Sequence, residues 1–396
     1  MISVDEALAE LRTVSPIQET QRVSLAAATG RILAQPICAK RTQPPRDMSA
    51  MDGYAVSFAD IENGTTDFTV IGEAPAGGQF EGDLGSGESV RIFTGGVVPR
   101  GADHIIIQED VTRNGDAISL TETQTVRLHI RRAGQDFNTG DTLLPAGHKI
   151  TAADLALIAN GNYGEVEVRR APRIAFIASG DELVPPGQDI SDTQIPNANA
   201  AALAAMAYDW GGEIVGNILV KDDKAAFTKA VKDLPAADIL VPIGGASVGD
   251  YDYAKAVFYA LGYRPVFEKI AVKPGKPCWF ATGEKAFVLG LPGNPSSAMV
   301  TAALFLRPLI ETMTGEAVQP RHMKAIMMHE LAANGERETY LRGTWHIDED
   351  GSVRVQTSER QDSGLTGVFA AASCLVKRAA DAPACAAGDT VTFLPL

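Results

Sequence analysis

The alternation of apolar and polar positions changes rhythm several times along the chain. Near the N-terminus VDEALAELR spaces its apolar residues as a helix does, which predicts an amphipathic helix from Val4 to about Arg12; a second helix-like run follows around Leu25–Ile32. Pro44–Pro45 is extended and stiff, which suits a crossover between units. Over residues 50–131 short apolar runs alternate with Gly-rich turns (FTVIGEAPAGG, SVRIFTGGVVP, HIIIQEDV, AISLTE, TVRLHI), the pattern of a small mostly-β unit. Residues 132–170 are mixed again. Within them TAADLALIANG reads as a helix with Thr151 as its N-cap and Gly161 after its end.

From Pro172 strands and helices alternate. RIAFIAS, EIVGNILV, DILVPIGG and KAFVLGLPG read as strands, and the helices between and after them include NANAAALAAMAYDWGG and SSAMVTAALFLRPLIETMTG. The strands are apolar on both faces, which predicts a parallel sheet covered by helices on both sides. After about residue 317 the alternation stops; HMKAIMMHEL, TYLRGTWHIDEDGSVRVQTS, SCLVKRA and DTVTFLPL read as strands of a small barrel, with a turn at Asp350–Gly351. The predicted fold class is multidomain α/β and β. An elongated mixed domain uses residues 1–43 and 132–170, a mostly-β domain is inserted at 44–131, an α/β domain spans 171–316 and a β-barrel-like domain spans 317–396.

Composition narrows the function. The chain has 396 residues, 45% of them hydrophobic, enough for several cores. It contains no apolar run of about eighteen residues, so no membrane-spanning helix is expected. Its first residues do not read as a signal peptide, which makes the cytoplasm the expected location. Cys38, Cys278, Cys374 and Cys385 form no CxxC pair and the six histidines are scattered, which argues against structural zinc and a disulfide framework. A net charge of −14 disfavours nucleic acid. Such a chain binds a small anion only where cations and N–H groups are concentrated locally.

Ligands of parallel α/β sheets sit at the C-terminal ends of the strands. After RIAFIAS come Asp181 and Glu182, and after EIVGNILV come Asp222 and Asp223, where helix capping competes with a functional role. DILVPIGG runs into a Gly-rich loop, GGASVGDYDYAK, whose Gly244, Gly245, Ser247 and Gly249 suit an anion and whose Asp252 is either a cap or a metal ligand. KAFVLGL leads into the rigid turn Pro292, Gly293, Asn294, Pro295, Ser296, with Ser296 or Ser297 as helix cap. Lys269, Lys273 and Lys276 cluster around a Pro-Gly turn. Carboxylates, anion loops and lysines together equip a protein for Mg²⁺-dependent chemistry on a phosphate-bearing ligand. No Ser–His–Asp or Cys–His arrangement coincides with these loops, so covalent catalysis is not expected.

The ordered motifs PPRDMSAMDGYAV, IFTGGVVPRGAD, IRRAGQDF, ASGDEL, PIGGASVGDYDY, AVKPGKP and LPGNPSSA resemble those of the molybdopterin molybdenumtransferases of the MoeA type, relatives of the gephyrin E domain. The resemblance spans most of the chain; the C-terminal unit matches mainly in β pattern and in single residues. It implies an α/β domain of the molybdopterin-binding type and insertion of molybdate into adenylylated molybdopterin with release of AMP. It further implies a homodimer whose site lies between the α/β unit of one subunit and the MDGYA-bearing unit of the other. By resemblance Asp52 faces the site, and Glu182, Asp222 and Asp252 organise Mg²⁺. Thr94, Arg131 and Asp136 belong to the matching turns. Lys269 and Lys273 face the anionic substrate, Pro292 and Pro295 stiffen the loop, and Arg342 and Ser363 are contacts from the C-terminal unit. The choice of Asp222 over Asp223 stays open by one position. A non-catalytic pterin-binding scaffold and a tungstate-using enzyme are the alternatives. Partnership with a separate adenylyltransferase and delivery to a molybdoenzyme also stay open; no nucleic acid or membrane partner is expected.

Overall fold

The computed structural model describes residues 1–14, 17, 19–244, 253–316 and 321–396. The first helix, Val4–Arg12, starts with a capping box in which the Ser3 hydroxyl accepts from the Glu6 N–H and the Ser3 N–H donates to the Glu6 carboxylate. Its buried face of Val4, Ala7 and Leu11 belongs to the core of the α/β unit and meets the helix Arg307–Thr314.

Segments from both sides of the β unit build the elongated part. Thr20–Ser24 runs antiparallel to Glu165–Arg169, and Ile37–Cys38 runs antiparallel to Thr142–Leu144. The helix Ala152–Asn160 packs beside them, capped by Thr151, whose hydroxyl accepts from the Asp154 N–H, and ended by Gly161. The helix expected around Leu25–Ile32 is only a short 3-10 turn, Leu25–Ala27. Gly30 takes a φ of +79°, and Ile32 and Leu33 are drawn into bridges with Lys149 and Val168, so tertiary pairing overrides the helical spacing.

The β unit is a six-stranded sheet in the order His104–Ile107, Gly53–Val56, Glu88–Ile92, Asp67–Ala74, Ala117–Leu120, Val111–Asn114. TVRLHI supplies only the start of Ile130–Arg131, paired with Met48–Ser49, instead of a full strand. The buried strand Gly53–Val56, which the apolar runs did not reveal, lies between two neighbours. Gly53 is required there by space: a Cβ would lie 2.0 Å from the Ile106 carbonyl oxygen.

The α/β sheet has the order Glu213–Val220, Arg173–Ser179, Ile239–Ile243, Phe287–Gly290, Trp279–Thr282, Arg264–Phe267. Its first four strands are parallel, Trp279–Thr282 runs against them, and Arg264–Phe267 pairs antiparallel with it, so the expected parallel sheet is mixed. Arg173–Ser179 sends Phe176 and Ala178 into one core and Ala175 and Ile177 into the other, the period-two burial of a two-sided sheet. The long helix at its end runs from Pro295–Thr301 through a π turn, Ala302–Leu306, into Arg307–Thr314. Neither serine caps it. Asn294 is the N-cap and Pro295 takes the first helical position, where its missing N–H costs nothing.

The C-terminal sheet closes on itself through Glu338–Ile347, Val353–Thr357, Met323–Met327, Thr390–Pro395 and Cys374–Arg378, the last pairing back to the first. Val272–Lys273 leaves the α/β unit and pairs in parallel with Glu338 and Thr339. That pairing sets Lys273 against the barrel. Among the described residues no helix is long and apolar enough to cross a membrane.

Because backbone crowds the Gly53 α-carbon, Gly53→Ala should destabilise the β unit by about 2 kcal/mol or more. Calorimetry should show that unit melting earlier; a melt indistinguishable from the wild-type profile would refute the steric reading.

Candidate active site

Three groups of side chains gather the sequence-predicted residues. The first lies in the β unit. Asp52 precedes the buried strand Gly53–Val56, and its Oδ1 accepts from the Thr94 N–H at 2.7 Å and from the Thr94 hydroxyl at 2.8 Å. These two bonds, the backbone one foremost, hold the Asp52 carboxyl below its ordinary pKa, and Arg91 adds to the effect. A carboxylate that accepts two donors is fixed in charge and direction. Arg131 and Asp136 line a neighbouring cavity of about 510 Å³ together with Met48 and Gly95, the residue after Thr94.

The second group sits at the strand ends of the α/β unit. Asp181 and Glu182 follow Arg173–Ser179, and both are exposed. The Glu182 carboxylate lies over Gly180, where a Cβ would stand 2.6 Å from its Oε2. Asp223 is committed to the helix Lys224–Asp233, accepting from the N–H groups of Ala225 and Ala226 at 3.0 and 2.9 Å. Asp222 is not used as that cap. Its carboxylate accepts from the Tyr253 hydroxyl, and its N–H donates to Asp181 Oδ1 at 3.2 Å. Burial, and then the bond to Asp222, raise the Tyr253 pKa, so the phenol stays a donor. Gly244, at φ +82°, faces the Pro292–Ser296 turn across a narrow gap, since a Cβ on Gly293 would lie 3.4 Å from its α-carbon. Gly245, Ser247, Gly249 and Asp252 lie outside the described residues. Among the described residues no three His, Cys, Asp or Glu side chains are grouped to hold a metal ion.

The third group occupies the junction of the α/β unit and the barrel. Lys273, Lys276, Ser297, Arg337, Arg342, Asp362 and Ser363 line a cavity of about 440 Å³. Lys269 is not among its lining residues; it is exposed and its carbonyl accepts from the Ile2 N–H. Arg342 is 1% exposed, and its Nη2 donates to the Asp362 carbonyl at 3.1 Å while its Nε has no partner. Burial lowers its pKa and nearby Asp362 opposes that shift. With an intrinsic value above about 12, the guanidinium remains charged. Ser363 is tied to the rigid turn: its carbonyl accepts from the Ser296 N–H at 2.9 Å and its hydroxyl from Asn294 Nδ2 at 3.0 Å. Thus Pro292–Ser296 borders both the acidic and the basic group. Sequence reasoning passed over Tyr253 and Arg337 and set little store by Asp181; Tyr253, the last residue of GDYDY, and Asp181, in ASGDEL, stood within motifs that could have flagged them, whereas Arg337 stood in none.

Three family models match the chain. They are the MoeA N-terminal region (domain I and II) over residues 2–161, a "probable molybdopterin binding domain" over 175–312, and the MoeA C-terminal region (domain IV) over 324–396. A molybdopterin molybdenumtransferase of Haemophilus influenzae is 35% identical over 400 residues, covering 100% of this chain and 98% of its own. One from Nostoc sp. is 37% identical over 340 residues, covering 83% and 78%. The crystal structure of the molybdopterin biosynthesis moeA protein from Pyrococcus horikoshii OT3 superposes with a TM-score of 0.83 at 26% identity, over 100% of both chains. Fold and matched domains define the class, a multidomain protein built around a molybdopterin-binding-type α/β domain. The chain belongs to the MoeA family, that of the molybdopterin molybdenumtransferases.

The Asp52–Thr94 pair makes a pH statement. Its folded-state pKa is depressed, so the stabilisation is present above the ordinary carboxylate pKa and is lost as pH falls through the folded value. Thr94→Val removes the hydroxyl donor but keeps the N–H. A carbon-detected NMR titration should find the Asp52 carboxyl moved upward yet still below its ordinary value; an unmoved titration would contradict the assignment.

Proposed function

We infer that this chain is a transferase of molybdenum cofactor biosynthesis that inserts molybdate into adenylylated molybdopterin. The observation that carries this is the junction cavity, where a buried guanidinium with an unpartnered Nε, two lysines and a serine hydroxyl converge beside the Pro292–Ser296 turn. A tetrahedral oxyanion offers acceptors to several donors at once, which this set supplies. Lys273, Lys276, Arg342 and Ser363 then hold molybdate. The Pro292–Ser296 turn and the loop that begins at Gly244 take the pterin and its phosphates.

Glu182, Asp222 and Asp252 are the proposed holders of Mg²⁺. The described members supply only carboxylate oxygens, exposed to water, and such a donor set suits a hard cation that keeps several waters and shares substrate phosphates. Bound there, Mg²⁺ would polarise the phosphoanhydride and offset its repulsion from the acids. The chain's own residues orient the anhydride: Asp222 is held by Tyr253, and Asp52 by Thr94. Water cleaves the anhydride and AMP departs; the two dithiol sulfurs displace one oxygen of molybdate, which leaves as water with the two thiol protons, so molybdenum ends on both sulfurs. In this reading the protein acts as a homodimer, with Asp52, Thr94, Arg131 and Asp136 of one subunit facing the α/β unit of the other. A separate adenylyltransferase supplies the substrate, and a molybdoenzyme receives the product.

Purified protein incubated with adenylylated molybdopterin, molybdate and Mg²⁺ should release AMP; release no faster than in a protein-free control would reject the reading. Asp52→Ala and Glu182→Ala should each lower kcat by about a hundredfold or more, the loss typical of one electrostatic group; Glu182→Ala should melt as the wild type does, and Asp52→Ala slightly earlier because both Thr94 bonds are lost. Wild-type turnover in both variants would remove these residues from the site.

A further inference from the structure

Asp222 is held at two points, its carboxylate by one neighbour and its backbone N–H by another, and no motif role assigns either neighbour. Asp222 follows the strand Glu213–Val220, whose neighbour in the sheet is Arg173–Ser179, itself followed by Asp181; beyond that strand lies Ile239–Ile243, which leads on to the helix Tyr253–Ala260. From the first loop Asp181 accepts the Asp222 N–H, and from the helix start Tyr253 donates its hydroxyl to the Asp222 carboxylate. The Tyr253 ring is itself held, edge-on to the buried Phe227 at 5.8 Å between centroids. Phe227 belongs to the helix that Asp223 caps, so one helix fixes both the turn bearing Asp222 and the ring that grips it. An exposed aspartate in a turn samples several rotamers; a hydroxyl anchored in a core selects one, while Asp181 fixes the backbone that carries it.

We propose that Tyr253, seconded by Asp181, is a positioning residue that presets the Asp222 carboxylate for the cation at the strand ends. This rests on the magnesium reading above. Tyr253 would act through Asp222: its hydroxyl occupies Oδ1 and leaves Oδ2 with no hydrogen-bond partner among the described residues. The proposal separates it from a packing residue, because phenylalanine keeps the ring contact with Phe227 and loses only the hydroxyl.

The test uses the full chain with Mg²⁺ as the varied component of AMP release, and Mn²⁺ binding followed by paramagnetic resonance as a readout independent of turnover. Tyr253→Phe should raise both half-saturating concentrations by about fivefold to tenfold, the worth of one ordinary intramolecular hydrogen bond. Melting should stay at the wild-type value. Asp222→Ala should weaken the cation further, and adding Tyr253→Phe to it should change nothing more, since the hydroxyl then has no carboxylate to hold. Asp181→Ala should weaken binding, whereas Asp181→Asn, which keeps an acceptor oxygen, should restore it. Unchanged half-saturation in Tyr253→Phe, or losses that simply add in the double variant, overturn the positioning role while leaving the magnesium reading in place. A wild-type protein indifferent to Mg²⁺ and Mn²⁺ overturns both.

Discussion

The arrangement depends on one contact, the seating of the C-terminal barrel against the strand ends of the α/β unit. Three ties hold it: the parallel pairing of Val272–Lys273 with Glu338 and Thr339, the Ser296 N–H bond to the Ser363 carbonyl, and the Ser296 hydroxyl bond to the Leu365 carbonyl. Ser296 is fully buried, so losing either of its bonds would leave a polar group unsatisfied in the interior. The same contact buries Arg342. Withdrawing a guanidinium from water costs several kcal/mol unless it is compensated, and here a carbonyl and a nearby acid compensate only part of it. An oxyanion bound in the cavity would supply the remainder through the unpartnered Arg342 Nε.

The Pro292–Ser296 turn links that basic cavity to the acidic edge. Its proline at the first helical position and the N-cap Asn294, which donates to Ser363, leave it little freedom. Gly244 lies close against Gly293 of this turn, and its N–H donates to the Leu291 carbonyl at 3.1 Å, which ties the two segments together. The acids sit at the ends of neighbouring parallel strands and the cations on the barrel side. On the proposed reading, this polarity would align a ligand that is anionic at both ends and metal-bridged at one.

Much of the architecture was legible because it is written in periodicity. The two-sided strands of the α/β unit, the capped helix at Thr151 and the closing barrel strands follow from spacing that packing reinforces. Legibility failed where tertiary pairing decided. Leu25–Ile32 has helical spacing but is pulled into bridges, and Gly53–Val56 is too short and too Gly-led to read as a strand although it lies inside its sheet. At the site, sequence could name acids and lysines at strand ends but could not divide their labour. Asp222 and Asp223 are indistinguishable in the run KDD; the helix claims one as its cap and leaves the other for Tyr253. Likewise Lys269, Lys273 and Lys276 form one cluster on paper, yet Lys269 does not line the junction cavity, and the burial of Arg342 is set by a barrel wall that no local pattern announces.

The central claim is that the junction cavity is an oxyanion site made by seating the barrel on the α/β unit. The most direct measurement is a crystal of this protein soaked in molybdate, with anomalous data collected at the molybdenum edge. The account predicts a peak in that cavity, its oxygens within hydrogen-bonding distance of Arg342, Lys273 and Ser363. Molybdenum bound elsewhere, with Arg342 untouched, would contradict it.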